Sequence, residues 1–292
     1  MAKLQAGVIG VGNMGRGVAT NLSCGGIQTS IWDIRPEALR LFEDNNEIEV
    51  LKPAEMAKKC SVIFFVVPAS PQIDSLLKGK DGILVNARKN LILYDFTTSD
   101  PAYTRKLSLR SAKRGVTYLD AGMSGGATGA DAGKLTLMVG GDKAAFQRTR
   151  KYLSPIAENI FYLGESGTGH TLKVIHNMVC HTIFLSTCEG GRMAERAGIK
   201  LEDMIAVFNV ANARSYASQF RFPQHILSKK WNARSRVFNL HKDLKMANEI
   251  GKKLKVNVSL GKGALEFLKK AIDLGMQDKD YSLLYRDFDK IK

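Results

Sequence analysis

The chain has 292 residues and a formal net charge of +15, and 45% of its residues are hydrophobic. This is enough apolar material for a sizeable core and for two domains. A surplus of positive charge attracts anions. Its Lys and Arg residues are spread along the chain with no basic run interleaved with aromatics, so we expect anionic small-molecule partners and no specific nucleic-acid partner.

No segment predicts membrane insertion or export. No apolar run reaches the roughly 18 residues of a membrane span. We expect no signal peptide, because Met1-Ala2-Lys3 leads directly into a predicted strand. The four cysteines form no Cys-x-x-Cys pair, and Cys180 and Cys188 lie about 12 Å apart along one predicted helix, too far for a disulfide. A cytoplasmic protein is expected.

Strands and helices alternate through the first half of the chain. We predict strands at 4–9, 28–33, 61–67, 90–95, 117–121, 135–139 and 160–163. Helices are predicted at 13–24, 36–44, 53–59, 71–78, 100–114 and 143–153. Such alternation predicts a Rossmann-type α/β domain, a doubly wound parallel sheet with helices on both faces.

The pattern changes at a glycine-rich segment, residues 164–169, after which no alternation of period two is found. Helical periodicity runs from about 168 to 197, longer than an ordinary globular helix, as expected of a helix at a domain seam or subunit contact. Further helices are predicted at 201–211, 213–228, 239–251 and 260–274. We therefore predict a dinucleotide-binding domain over 1–165 and an all-helical substrate and oligomerisation domain over 166–292.

A glycine motif follows the first predicted strand and opens the first helix, Gly10-Val11-Gly12-Asn13-Met14-Gly15. Gly10 permits the tight turn, Gly12 presents no Cβ to a diphosphate, and Gly15 lets the helix sit close to the strand. The helix N-terminus adds free N–H groups and a positive dipole end. The alternative is a glycine-rich turn in some other α/β protein.

Asp33 ends the second predicted strand, 23 residues beyond Gly10, near the roughly 20-residue offset of a ribose-binding carboxylate. Its charge repels a 2′-phosphate, so we expect NAD, with NADP still possible because of Arg35. Two other strand ends, at Val67-Pro68 and around Thr98, are expected to line the cofactor's far half. Simple strand-terminating turn chemistry is their alternative.

The segment from Asp120 to Gly126 lies at the end of a predicted strand, where doubly wound sheets bind ligands. Ser124, Gly125 and Gly126 offer a hydroxyl and backbone N–H groups to an anion such as a carboxylate. An ordinary flexible loop is the alternative.

Lys173 and Asn177 are four residues apart and so share one face of the long predicted helix. A lysine near a helix N-terminus should have a lowered pKa, suiting proton exchange with a forming alkoxide. Asn177 is placed to orient the hydroxyl or carbonyl. The alternative for Lys173 is a surface lysine that extends its charged end into solvent.

Lys242 and Asp243 are expected to frame the site from another helix. The alternative for this pair is an exposed charged pair of little consequence.

Other catalytic chemistries find little support. His176 and Cys180 have the i, i+4 spacing of metal ligands, but further ligands are not evident, so we expect no metal site. No Gly-x-Ser-x-Gly segment is present, which argues against a hydrolase.

Together, and in this order, these motifs resemble the β-hydroxyacid dehydrogenase family, which includes 3-hydroxyisobutyrate dehydrogenase and tartronate semialdehyde reductase. The resemblance spans nearly the whole chain. It covers the glycine motif with its Asn-Met, the segment from Asp120 to Gly126, the pattern Gly167-x-Gly169-x-x-x-Lys173-x-x-x-Asn177, and Lys242-Asp243.

The resemblance implies an NAD(P)-dependent oxidoreductase, usually dimeric or tetrameric, that interconverts a small β-hydroxy acid and its semialdehyde or keto form. It implies that Lys173 is the catalytic acid/base and that Ser124, Gly125 and Gly126 hold the substrate carboxylate. Asn177 would aid substrate binding, and Lys242 would close the site against both substrate and cofactor. Cofactor binding would fall to Gly10, Gly12, Asn13, Met14, Gly15, Asp33, Val67, Pro68, Thr98 and Lys242.

One departure from the family pattern concerns the substrate loop. Gly122 stands where the family usually has Pro, and Met123 where Val is common. We expect a looser loop and leave the substrate open. The alternatives are an imine-type reductase of the same fold, whose members usually lack a lysine at position 173, and a basic NAD-binding module without activity.

Overall fold

The computed structural model describes residues 4–292 and contains two compact units that divide between Lys173 and Val174. Met1–Lys3, where we expect no signal peptide, lie outside the described residues. The domain boundary predicted near residue 165 stays a prediction.

An eight-stranded sheet forms the centre of the first unit, in the order β3-β2-β1-β4-β5-β6-β7-β8. The strands are β1 Gln5–Ile9, β2 Gln28–Trp32, β3 Ile48–Val50, β4 Val62–Phe65, β5 Ile92–Asp95, β6 Thr117–Ser124, β7 Leu135–Gly140 and β8 Ala157–Tyr162. All neighbouring pairs are parallel except β6 with β7. The predicted Rossmann-type α/β fold is confirmed.

The antiparallel direction of β7 differs from the purely parallel sheet that we expected. Only the ten residues 125–134 separate β6 from β7, whereas a parallel crossover needs a dozen or more. The chain therefore turns back, and Gly122 pairs with Met138 in the resulting ladder. The short edge strand β3 has no counterpart among the predicted strands.

Helices cover the sheet on both faces. They are α1 Gly15–Cys24, α2 Pro36–Arg40, α3 Pro53–Lys59, α4 Ser70–Leu77, α5 Ile83–Asn86, α6 Pro101–Ala112, α7 Gly126–Asp131 and α8 Lys143–Leu153. Successive strand residues point to opposite faces, so Phe64 joins one buried cluster while Ile63 and Phe65 join the other. Burial on both faces explains the continuous apolar run of β4.

The second unit contains most of the 29-residue helix α9, Thr168–Arg196, and the remaining helices. These are α10 Leu201–Val210, a π-helix Ala217–Leu227, α11 Val237–Lys253, α12 Ser259–Asp273, α13 Leu283–Arg286 and a 3₁₀ turn Phe288–Lys290. Phe184, Phe222, Leu244 and Leu268 are central to its core. The helical character of this half is confirmed, although the segment predicted as helix 213–228 is a π-helix and the last two elements were not predicted. None of the helices within residues 4–292 has the length and apolar character required to cross a membrane.

The beginning of α9 is fixed to the sheet by one carboxylate. Asp120 on β6 is fully buried, and its Oδ1 accepts a hydrogen bond from Gly167 N (2.7 Å) while its Oδ2 accepts one from His170 N (2.9 Å). A helix N-terminus leaves such N–H groups without intrahelical acceptors. Asp120 therefore caps α9 from a distant strand and holds the first turn of the helix in place.

Asp120→Asn should destabilise the protein strongly, because one amide oxygen replaces two buried acceptors and an NH₂ group faces an N–H donor. We expect a loss of about 2–4 kcal/mol in the free energy of unfolding, measured by urea titration. The matched control is Asp142→Asn, because Asp142 caps α8 through Ala145 N alone and Asn is itself a good cap, so its cost should be below about 1 kcal/mol. Equal losses in the two variants would contradict this role for Asp120.

Candidate active site

The glycine loop packs against the end of β4. Gly10 adopts φ +94°, and a Cβ at this position would lie 2.4 Å from the carbonyl oxygen of Val66. Val66 N donates a hydrogen bond to Ile9 O at 2.8 Å, and the Val67 side chain lies 3.1 Å from the same Cβ position. Residue 10 must therefore be glycine, and Val67 lies beside the loop.

Backbone donors lie open at the start of α1. Among residues 4–292, the N–H groups of Gly12, Asn13 and Met14 have no hydrogen-bond partner. The nearest atom to a Cβ built on Gly12 is Arg35 Nη2, at 3.4 Å. Free donors at a helix N-terminus beside a bare backbone form a suitable cradle for a diphosphate. The residues present therefore fit a dinucleotide.

Asp33 lies beside this cradle with both carboxylate oxygens engaged. Its Oδ2 accepts a hydrogen bond from Val11 N (2.9 Å), and its Oδ1 accepts one from Arg35 N (3.0 Å). Burial alone would raise the pKa of Asp33, but the hydrogen bonds from Arg35 and Val11 outweigh it and hold the pKa below its usual value. Asp33 therefore carries a negative charge at neutral pH.

The loops after β4 and β5 lie side by side. The hydroxyls of Ser70 and Ser99 are 2.5 Å apart, and Ser99 is also 2.5 Å from the hydroxyl of Thr97. This buried chain of hydroxyls joins the loop carrying the exposed Pro68 to the loop carrying the half-buried Thr98. Two of the residues predicted for the cofactor's far half therefore stand on adjacent loops.

Lys173 packs against the strand that leads to the predicted substrate loop. A Cβ on Gly122 would lie 2.4 Å from Cβ and 2.8 Å from Cγ of Lys173, so in this chain the lysine side chain packs directly on the bare backbone of residue 122. Lys173 itself is 8% exposed. Gly122 lies within β6, which continues to Ser124, and the expectation that Gly122 loosens the loop is wrong because the residue is paired in the sheet.

The substrate loop begins where β6 ends. Ser124 is half-buried, and Gly125 and Gly126 are exposed. Both glycines adopt positive φ, +124° and +62°, which turns the chain directly from β6 into α7. The structure thus places Ser124, Gly125 and Gly126 two to four residues beyond the point of contact with Lys173.

His170 is a structural residue that sequence reasoning assigned to no role. Its ring is fully buried, with Nδ1 2.7 Å from Thr104 Oγ1 and Nε2 3.1 Å from the carbonyl oxygen of Asp95. Both ring nitrogens are therefore used to tie α9 to neighbouring elements. Within residues 4–292 no group of three or more His, Cys, Asp or Glu side chains is arranged for a metal ion.

A second polar cluster lies within the helical unit. Asn177 Nδ2 donates a hydrogen bond to Asp243 Oδ2 at 2.6 Å. Lys242 Nζ lies 3.4 Å from Asp243 Oδ1, and His181 Nε2 lies 3.7 Å from Asp243 Oδ2. Asp243 is buried, so the alternative of an exposed charged pair is wrong. The structure joins Asn177 and Lys242 through Asp243, which we expected to frame the site together with Lys242.

Comparison with known proteins places the chain in a family. Residues 5–164 match the model described as the NAD binding domain of 6-phosphogluconate dehydrogenase. Residues 167–288 match the model described as NAD-binding of NADP-dependent 3-hydroxyisobutyrate dehydrogenase. The chain belongs to the β-hydroxyacid dehydrogenase family. The predicted enzyme class, an NAD(P)-dependent oxidoreductase, is confirmed.

Individual relatives of this dehydrogenase extend over nearly the whole chain. A probable 3-hydroxyisobutyrate dehydrogenase of Dictyostelium discoideum is 30% identical over 285 residues, covering 96% of this chain and 89% of the relative. The 2-(hydroxymethyl)glutarate dehydrogenase of Eubacterium barkeri is 26% identical, covering 99% and 96%. The crystal structure of a 3-hydroxyisobutyrate dehydrogenase from Salmonella typhimurium matches with a TM-score of 0.88 at 26% identity, covering 97% and 99%.

Asp33→Ser should shift the dehydrogenase toward NADP, because the substitution removes the charge that opposes a 2′-phosphate. We expect the ratio of the dissociation constants for NADPH and NADH to change by about 10- to 100-fold in favour of NADPH, measured by cofactor fluorescence titration. Glu37→Ser is the control, since Glu37 is a nearby exposed acid. If Asp33→Ser weakened the binding of NADH and NADPH by the same factor, Asp33 would serve only to hold the glycine loop in position.

Proposed function

We propose that this dehydrogenase interconverts a small β-hydroxy acid and its semialdehyde or keto form, with Lys173 as the general acid/base. The observation that carries the proposal is the position of Lys173, buried against Gly122 on the strand that ends at Ser124. A buried amine beside an anion-binding loop is placed to exchange a proton with a bound hydroxyl.

In the oxidative direction, the unprotonated Nζ of Lys173 accepts the proton of the substrate hydroxyl. The bound nicotinamide supplies the hydride acceptor. In the reductive direction the Lys173 ammonium returns the proton to the forming alkoxide, and its charge stabilises that oxygen as it develops. The rest of the site orients the substrate for this exchange.

We assign the substrate carboxylate to Ser124, Gly125 and Gly126, whose hydroxyl and backbone groups stand at the exposed end of β6. Asn177 would hold the reacting oxygen, because Asp243 fixes its amide through the 2.6 Å hydrogen bond. Lys242 would close the site against both substrate and cofactor.

For the cofactor we assign the diphosphate to Gly10, Gly12, Asn13, Met14 and Gly15, and the ribose to Asp33. Val67, Pro68, Thr98 and Lys242 are assigned to the nicotinamide half. The ionised Asp33 supports a preference for NAD over NADP.

The two dehydrogenases from Dictyostelium discoideum and Eubacterium barkeri support a substrate class for this proposal. Their names specify 3-hydroxyisobutyrate and 2-(hydroxymethyl)glutarate, which share a hydroxymethyl group and a carboxylate on one carbon. We propose that this chain acts on an acid of that form.

We also propose that the protein is a homodimer or homotetramer in a reducing compartment such as the cytoplasm. Four apolar residues spaced along α9 are 38–48% exposed and form one stripe, Leu172, Ile175, Val179 and Ile183. An exposed apolar stripe of this kind supports a protein contact. All four cysteines are free thiols, which suits a reducing compartment.

Lys173→Ala tests the proposed acid/base directly. The variant should bind NADH normally, because Lys173 is not among the residues assigned to the cofactor, but its kcat should fall by about 10²- to 10⁴-fold. Turnover is measured by nicotinamide absorbance with a panel of hydroxy acids, using both NAD and NADP. Lys134→Ala removes an exposed lysine of the same unit as the control. A variant at position 173 with near-normal kcat would eliminate Lys173 from the mechanism.

Gly122→Ala should lower kcat by displacing Lys173, although Gly122 itself is assigned no contact with the substrate. The new Cβ would collide with Cβ and Cγ of Lys173, and a displacement of about 1 Å costs up to about 10²-fold in rate. We expect lower kcat with unchanged NADH affinity. The matched control is Gly129→Ala, where a Cβ meets no atom closer than 3.7 Å. Equal kcat in the two alanine variants would show that Lys173 tolerates displacement.

A further inference from the structure

A half-buried asparagine joins the helix that follows the glycine loop to the helix that follows the proposed substrate loop. Asn21 lies on α1, and its Nδ2 donates hydrogen bonds to Gly17 O of the same helix and to Ala130 O of α7, both at 2.8 Å. Asp131 O lies 3.2 Å from the same nitrogen. An amide NH₂ group carries two hydrogens, so this side chain is shared between the two helices.

The two helices touch backbone to backbone where Asn21 joins them. Gly17 is buried, and a Cβ built on it would lie 2.5 Å from the carbonyl carbon and 2.6 Å from the carbonyl oxygen of Ala130. Gly17 is two residues from Gly15, and Ala130 is four residues from Gly126, which corresponds to about 3 Å and about 6 Å along the two helices. The contact therefore lies about one helical turn or less from both the glycine loop and the proposed substrate loop, all within the first unit.

The position of α7 depends on contacts from outside the helix. A helix of six residues is too short to be stable alone. Carbonyl groups in the last turn of a helix lack intrahelical donors, and Asn21 supplies one to Ala130 O. The glycine loop has support of its own, because a Cβ on Gly15 would overlap the carbonyl oxygen of Gly10. Loss of the Asn21 donor would therefore displace α7 and leave the glycine loop in place.

The proposed carboxylate site lies between the sheet and α7. Ser124 pairs with Thr136 on β7, so the sheet holds its backbone. Gly125 and Gly126 connect this fixed strand end to α7. Their N–H groups, which we assign to the substrate carboxylate, therefore move with α7.

We propose that Asn21 is a positioning residue that sets the distance between the substrate carboxylate site and the glycine loop. It touches neither substrate nor cofactor and acts through the backbone of α7. The inference rests on the proposed function, because the carboxylate site at residues 124–126 is part of that proposal.

Asn21→Leu tests the inference, because leucine has a similar size and no charge but cannot donate to α7. A displacement of about 1 Å costs up to about 10²-fold in rate. We expect kcat/KM for 3-hydroxyisobutyrate to fall by about 10- to 100-fold with a raised KM, while the dissociation constant of NADH stays within about twofold. The inhibition constant of isobutyrate, which carries the carboxylate without the hydroxyl, should rise as well. Asn21→Gln keeps the NH₂ group and should regain part of the lost kcat/KM.

Asn86→Leu is the matched control. Asn86 Nδ2 also bridges two carbonyl groups, those of Lys80 and Gly82, both at 3.0 Å, but it lies on α5, to which no site residue is assigned. This variant should leave the KM for the hydroxy acid unchanged. If Asn21→Leu lowered only the melting temperature, Asn21 would be a packing residue. If it weakened NADH and the hydroxy acid by the same factor, it would act on the cofactor site. Either result overturns the inference.

A second variant reaches the same contact from the backbone and keeps the test available if Asn21→Leu does not fold. The Cβ of Gly17→Ala would collide with the backbone of Ala130 and force α7 away from α1. We expect the same rise in KM for the hydroxy acid with unchanged NADH affinity. Gly129→Ala, which adds a methyl group to α7 without a close contact, is the control. Equal KM values in the two alanine variants would overturn the inference.

Hydrogen exchange separates this inference from the proposed function. The amides of residues 127–131 in α7 should exchange about 2- to 10-fold faster in Asn21→Leu than in the native protein, as expected for the loss of one hydrogen bond. Asn86→Leu should leave their exchange unchanged. If the native protein oxidised no hydroxy acid, the proposed function would fail, and the exchange rates would still decide whether Asn21 holds α7. Unchanged exchange of α7 in Asn21→Leu would overturn the inference.

Discussion

The pair of hydrogen bonds from Gly167 N and His170 N to the buried carboxylate of Asp120 is the constraint on which the candidate site depends. It joins the end of β6 to the first turn of α9. Two residues beyond Asp120 the strand reaches Gly122, and three residues beyond His170 the helix reaches Lys173, where the two segments touch. Because both hydrogen bonds hold regular stretches of backbone, they also fix the backbone position from which the Lys173 side chain extends.

A second set of polar contacts supports the same helix turn from the neighbouring strand. The ring of His170 bridges Thr104 and the backbone of Asp95. The Asp95 carboxylate in turn accepts hydrogen bonds from Thr97 and Tyr118. Burial, and then the charge of Asp95, raise the pKa of Tyr118 well above its usual value, so this phenol stays protonated and serves as a donor. Fully satisfied networks of this kind rigidify a site.

Local spacing was sufficient to predict the turn of the glycine loop and an acidic residue at the end of the second strand. The contacts of Gly10 and Asp33 depend on a strand, a turn and a helix that are consecutive in the chain, so their residue types carry the geometry. The reversed direction of β7 was not evident from the sequence, because the predicted strands 117–121 and 135–139 leave room for a parallel crossover, whereas the observed β6 extends to Ser124 and shortens the connection. The expectation that Gly122 loosens its loop failed because its partner is a side chain 51 positions away.

The long-range contacts that support the site could not be predicted from the spacing of residues along the sequence. Asp120 acts on backbone groups 47 and 50 residues away, and Asp243 acts on an amide 66 residues away. No periodicity relates such pairs, since the tertiary fold alone brings them together. Sequence reasoning recognised the motifs that contain Asp120 and Asp243 and could not tell which groups these carboxylates hold in position.

The distribution of satisfied and open polar groups carries one further argument. The buried carboxylates of Asp33, Asp95, Asp120 and Asp243 all have hydrogen-bond donors. The N–H groups of Gly12, Asn13 and Met14 at the start of α1 are open donors. Gly12 and Met14 are half-buried and Asn13 is exposed, so an acceptor from outside can reach these N–H groups. In a chain with a net charge of +15, these donors are suited to the oxygen atoms of an anion such as a diphosphate.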